Sequence, residues 1–242
     1  MEFTGKESQV KRVQNSLNIT ADGIDGPNTW SAIEKHICGS VANPDVPALP
    51  VDAYRVALCV GHSRLVNGKP EGGAVSVDGV SEWNYNCELA SMISYALEDF
   101  GIASKIYSRY DGSGYTAAMN WLAEEIHRDN NDLAVELHFN SADESANGHE
   151  WLYWYTSQAG ETLAKECRDK MVELVPQIRS RGVKPITSGS DRGGAFLIKT
   201  HCPAIICEPF FGSNYCDADI AETKKDDIAE AIAWGIKEYF RM

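Results

Sequence analysis

LAVELHFNSA, residues 133–142, is the stretch from which the fold of this chain can be read. An apolar run of the kind that fills a buried strand ends in His138, with Asn140 just beyond it. Open α/β sheets keep their chemistry at the carboxyl ends of their strands. Two other stretches repeat the design. VALCVGHS (56–63) delivers His62, and AIICEPFF (204–211) carries Glu208 directly after a buried-strand run. Working outward, strand-like runs lie at 56–61, 103–108, 133–139, 149–155 and 204–210. Helix-like runs lie near 82–100, 115–128, 159–175 and 217–240. This alternation predicts an α/β fold, a mostly parallel twisted sheet flanked by helices. A weaker strand is expected at 195–199. The stretch 176–194 has no clear period and is expected to be a loop flanking the site.

The chain has 242 residues and is 43% hydrophobic, enough for one sizeable core and a small appendage. Composition changes across GSVANPDVPALPVDA (39–53), where prolines, glycine and serine read as a semi-rigid linker. The expected division is a small all-α module at 1–40, a linker at 41–53 and a catalytic domain at 54–242. In the module, Val10, Val13, Leu17 and Ile19 form an apolar stripe, and ADGIDGPNTW (21–30) is a turn-rich loop leading to a second helix. So short a unit suits binding better than catalysis. The formal charge of −13 argues against a nucleic-acid partner. No apolar run has the length of a membrane span, so no membrane insertion is expected. The start, MEFTGKESQV, lacks the basic and apolar segments of a secretory signal, which predicts synthesis in the cytoplasm. The cysteines number seven and are scattered, so a reduced chain is expected rather than a disulfide framework.

Two histidines and a carboxylate at strand ends make zinc the natural ligand. Gly61 is expected to let the chain turn sharply and expose His62. Glu82 opens the helix whose inward stripe is Tyr85, Leu89, Met92, Ile93, Ala96 and Phe100, and it points the same way. An inward carboxylate there is either a metal ligand or a capping glutamate bonded to backbone amides. Glu88 sits at the stripe's edge and reads as solvated or salt-bridged. A histidine at the end of a buried strand is costly unless bonded or metallated, which favours His138 as a ligand over a core histidine bonded to a carbonyl. His36, His127, His149 and His201 read as structural or supporting residues. Burial would raise the pKa of Glu208 and a nearby metal would lower it again. A glutamate so poised can move a proton from water to a leaving amine. The competing reading pairs Glu208 with Arg192 in a structural role.

At these residues the chain resembles the zinc-dependent N-acetylmuramoyl-L-alanine amidases of cell-wall hydrolysis. VALCVGHS (56–63) is similar to the family's first strand with its Gly-His, although the glycines usual after that His are absent. EWNYNCELA (82–90) matches a Glu followed by an amphipathic helix, and LHFNSA (137–142) resembles a Ser-hydrophobic-His-x-Asn-x strand end. CPAIICEPFFGSN (202–214) is similar to the segment holding the family's catalytic Glu, and AEAIAWGIKEYF (229–240) to its C-terminal helix. The resemblance implies zinc on His62, Glu82 and His138, with Glu208 catalytic; beyond it, Asn140 is expected to orient a ligand or the substrate, and Arg192 to meet a stem-peptide carboxylate. QVKRVQNSLNITADGIDGPNTWSAI (9–33) resembles the small helical peptidoglycan-binding domain. Such a pairing without a signal peptide looks like a bacteriophage endolysin, a monomer acting on bacterial peptidoglycan at the cell wall. Competing readings are a zinc peptidase cutting within the stem peptide and a wall-binding protein with an inactive catalytic domain. A thiol hydrolase using Cys59 or Cys207 is disfavoured, because neither has a helix start of the nucleophile type behind it.

Overall fold

The computed structural model describes residue 11 and residues 53–241 apart from residue 192. The chain divides into two units, Met1–Ala48 and Leu49–Met242, and the described residues other than Lys11 belong to the second. The module at 1–40 and nearly all of the linker at 41–53 therefore lie outside the described residues.

Six strands form one sheet: β1 (Arg55–Val60), β4 (Ala103–Tyr107), β5 (Leu133–Leu137), β6 (His149–Trp154), β7 (Ser180–Ile186) and β8 (Ala204–Glu208). A short hairpin, β2 (Leu65–Val66) with β3 (Lys69–Pro70), stands apart. The order across the sheet is β4-β1-β5-β8-β6-β7. β4, β1, β5 and β8 run parallel, β6 runs antiparallel to β8, and β7 pairs with β6 in parallel. The architecture is the expected mostly parallel α/β sheet. β1, β5 and β8 are covered on both faces and every residue of their cores is buried. That is why they read as continuous apolar runs rather than alternating ones.

The helices are α1 (Glu82–Asp99), α2 (Tyr115–Arg128), α3 (Gln158–Leu174), α4 (Gly194–Lys199), α5 (Tyr215–Thr223) and α6 (Lys225–Phe240). α1, α3 and α6 pack together on one face of the sheet. α2 and α4 cover the other, over a cluster containing Ala57, Cys59, Met119, Leu122, Phe196 and Ile206. The crossover through α1 leads from β1 outward to β4, while that through α2 returns across β1 to β5. Strand order therefore reverses between β1 and β5, and at such a point a crevice opens at the strands' carboxyl ends. Among the described residues no helix is long and apolar enough to cross a membrane.

Three local expectations are corrected. Residues 180–186 are an edge strand rather than loop. β7 is covered on one side only and exposes Ser180, Lys184 and Pro185, so it carries little apolar pattern. An edge also tolerates Pro185, which has no N–H to donate. Residues 195–199 are not a strand but the body of α4, with Ala195, Phe196 and Leu197 buried. A short apolar run does not separate strand from helix. The expected helix at 217–240 is two helices that break at Lys224, whose ψ of 27° lies outside the helical range. The break falls in the charged stretch ETKKDD (222–227), where Lys224 pairs with Asp227 at 2.7 Å.

Candidate metal centre

Strand β1 ends at Val60, and His62 follows in the left-handed region at φ 57°. For a non-glycine residue that conformation is uncommon and costs on the order of 1–3 kcal/mol, a type of strain that gathers at functional sites. It aims the imidazole back towards the start of α1. Glu82 is the first residue of that helix and is 2% exposed. It does not cap its own helix, a task done by Ser81, whose hydroxyl accepts from the Asn84 N–H.

Each Glu82 oxygen instead meets one backbone amide and one imidazole. Oε1 accepts from the Phe139 N–H at 3.1 Å and lies 2.8 Å from His138 Nδ1. Oε2 accepts from the Ala74 N–H at 3.0 Å and lies 3.3 Å from His62 Nε2. The inward stripe is rotated slightly from expectation: Leu97 is buried, while Met92 and Phe100 are half-buried. Glu82 nevertheless falls on the buried side. Glu88 does not, and pairs with Lys225 as read from the sequence.

One ligand atom from each of His62, Glu82 and His138 lies within 4.8 Å of the others. Burial alone would raise the pKa of Glu82, but hydrogen bonds and charge from His138 and His62 hold it well below the usual carboxylate range. Burial likewise opposes a charge on His138, yet the Glu136 and Glu82 carboxylates raise its pKa well above the ordinary value. Two nitrogens and one oxygen converging on a point, with space beside them, are a donor set suited to zinc with an open coordination position.

Glycine makes the approach of the three possible. A Cβ on Gly61 would stand 2.3 Å from His138 Cε1. The expectation that Gly61 serves a sharp turn is therefore replaced: the positive φ belongs to His62, and Gly61 makes room for the neighbouring strand's imidazole. Gly73, at φ 70°, closes the other side, where a Cβ would stand 2.6 Å from Glu82 Oε2. Gly61→Ala is expected to displace the His138 ring and weaken zinc binding by roughly 10–100-fold, the range associated with loss of ligand orientation. Chelator competition checks it, and unchanged affinity would count against this packing argument.

The three residues line a cleft of about 620 Å³ together with Glu136, Asn140 and Glu208. Backbone pairing sets Glu208 beside His138. The His138 N–H donates to Cys207 O at 2.9 Å, and the Asn140 N–H to Phe210 O at 2.9 Å. Glu208 is 7% exposed at the end of β8. The Asn140 amide donates to Glu150 Oε1 at 2.8 Å, and Arg181 Nε donates to the other oxygen of Glu150 at 2.9 Å. Arg192 lies outside the described residues.

Sequence reading missed Glu136, Glu150 and Arg181. The signal for Glu136 was present, as an acidic residue inside the apolar run LAVEL. His149 is fully buried and accepts from Trp151 Nε1 at 2.9 Å. Burial, with Arg168 nearby, lowers its pKa to about 4, so it is a neutral structural histidine. His127 and His201 pack on each other away from the cleft lining. Burial pushes the thiols of Cys59 and Cys207 well above their ordinary pKa, which disfavours either as a nucleophile.

The family model described as N-acetylmuramoyl-L-alanine amidase matches residues 56–238. No curated protein matches the chain. Several solved structures do. The N-acetylmuramoyl-L-alanine amidase AmiC2 of Nostoc punctiforme is 23% identical at a TM-score of 0.64, covering 78% of this chain and 98% of that one. The catalytic domain of the CD27L endolysin, targeting Clostridia difficile, is 25% identical at a TM-score of 0.64, covering 76% and 97%. The CwlD amidase from Clostridioides difficile, solved with the GerS lipoprotein, is 22% identical at a TM-score of 0.66, covering 77% and 98%.

Proposed function

Because the chain belongs to the N-acetylmuramoyl-L-alanine amidase family, we propose that its cleft hydrolyses the amide between the lactyl group of N-acetylmuramic acid and L-alanine of the stem peptide, with zinc held by His62, Glu82 and His138. The observation that carries this reading is the convergence of those three side chains in the same cleft as Glu208. When bound, zinc would polarise the scissile carbonyl and acidify a neighbouring water.

Glu208 takes the proton from the attacking water on a carboxylate oxygen. It then gives that proton to the alanine nitrogen as the C–N bond breaks, so a carboxylic acid and a free amine result, and the acid's remaining proton passes to the amine to give carboxylate and ammonium. The apolar walls formed by Leu152, Ile206 and Phe139 limit water around this exchange. Asn140, tethered by Glu150, orients substrate along the cleft wall. Arg192, next to the cleft residue Gly193, meets a carboxylate of the stem peptide.

The full reading is a phage endolysin, monomeric, made in the host cytoplasm and acting at the wall, with residues 1–40 as a peptidoglycan-binding module. The likeness of 9–33 to such a module and of the catalytic unit to the CD27L endolysin domain supports it.

Mass spectrometry of digested peptidoglycan tests the reaction. Peptides with a free N-terminal L-alanine and intact glycan are expected. Chelation should abolish their release, and added zinc should restore it. Cuts within the stem peptide would replace this reading with a peptidase, and full activity in protein shown to lack metal would remove zinc from it.

A further inference from the structure

His138 is bracketed by two carboxylates, one at each ring nitrogen. Nδ1 faces Glu82 Oε1 at 2.8 Å, and Nε2 faces Glu136 Oε2 at 3.4 Å. The arrangement follows from the strand: residues two apart share a face, so Glu136 and His138 project the same way from β5. Glu136 is almost fully buried, and its register partners on β1 and β8 are Cys59 and Ile206. An ionised carboxylate among such neighbours is costly unless a cation or a donor meets it. Among the described residues, His138 Nε2 lies 3.4 Å from Glu136 Oε2.

The two carboxylates differ in place. Glu82 belongs to the cluster with His62, and its oxygens are fixed by the Ala74 and Phe139 amides. Glu136 lies outside that cluster, on the far edge of the ring. Gly61 leaves free the space that a Cβ would take beside Cε1, between the two nitrogens, and so lets the ring sit there. It does not decide which nitrogen carries the proton.

We propose that Glu136 is a positioning residue that holds the proton of His138 on Nε2, leaving Nδ1 free to ligate the metal in the His62–Glu82 cluster. The inference rests on the zinc reading above. A neutral imidazole has one donor and one acceptor nitrogen, and the hydrogen bond at one sets the role of the other. A carboxylate behind a metal-bound histidine fixes the tautomer and ring orientation and raises ligand basicity. The 3.4 Å separation is an ion-pair contact somewhat longer than the usual hydrogen-bond range.

The test uses the full chain with histidines labelled with ¹⁵N, loaded with zinc. Nitrogen shifts should show zinc on Nδ1 of His138 and a proton on Nε2. Zinc on Nε2 would overturn the proposal, and this measurement needs no variant. Zinc affinity from chelator competition should fall about 10–100-fold in Glu136→Gln. The neutral amide keeps the shape but is a weaker acceptor. Glu136→Leu should lose at least as much. Unchanged affinity in both variants, with circular dichroism like the parent, would overturn it. A parent chain that binds no zinc would instead sink the metal reading itself.

Discussion

Glu208→Gln is expected to fold, to hold zinc as the parent does and to turn over about 10²–10⁴ times more slowly, the usual cost of losing general acid–base help. Glutamine keeps the size and one acceptor oxygen but cannot carry a proton from water to the leaving nitrogen. Glu208 lines the cleft without belonging to the ligand cluster, so metal content should not move. A purely structural partner of Arg192 would behave oppositely: the same change would lower the melting temperature and spare turnover. Both quantities should be measured on one preparation of known zinc content. Near-normal turnover in the folded, zinc-loaded variant would remove Glu208 from the reaction.

Glu82→Ala should lose zinc and with it activity, whereas Glu88→Ala should keep both. Each Glu82 oxygen faces one imidazole and is fixed by one backbone amide, so alanine removes a ligand and the support that orients two others. The loss of affinity should exceed the roughly 10–100-fold typical of removing an orienting partner alone. Glu88 pairs with Lys225 across the α1–α6 contact and is not a member of the three-residue cluster. Its loss breaks a partly exposed ion pair, with a modest effect on stability. Metal analysis of both variants decides it, and zinc lost from the Glu88 variant but retained by the Glu82 variant would reassign the ligand.

The central strands were legible because burial on both faces leaves an unbroken apolar run, and His62, His138 and Glu208 of the candidate site stood out because each ends or follows one. His138 stands out after LAVEL for that reason, as does Glu208 after AIIC. The failures have the same origin. β7 lies at the sheet's edge, where solvent on one side removes the need for apolar residues, so its sequence resembles a loop. α4 is too short for its period to differ from a strand's. Glu136 was absorbed into the strand run although its charge inside LAVEL and its place two residues before His138, on the same face of β5, were both in the sequence. Gly61 was read for its backbone freedom, when its use is to make space for a ring from a strand far along the chain. Local pattern reports what a residue does to its own backbone. It does not report who approaches from elsewhere.

The reversal of strand order between β1 and β5 bears on how the proposed metal would be acquired. His62 leaves the end of β1, Glu82 opens the outward crossover, and His138 arrives only after the chain has returned past β1 to pair with it. No local segment carries all three donors, and closing so long a loop is a slow, non-local step. Capture of the ion is therefore expected to follow docking of β5 on β1 during folding. Once captured, it favours the assembled sheet by mass action, since the unfolded chain has no such cluster. If the cluster holds zinc as proposed, the ion would add stability to a sheet that has already closed, and scarcity of zinc would lower the fraction of loaded enzyme rather than the closing of the sheet.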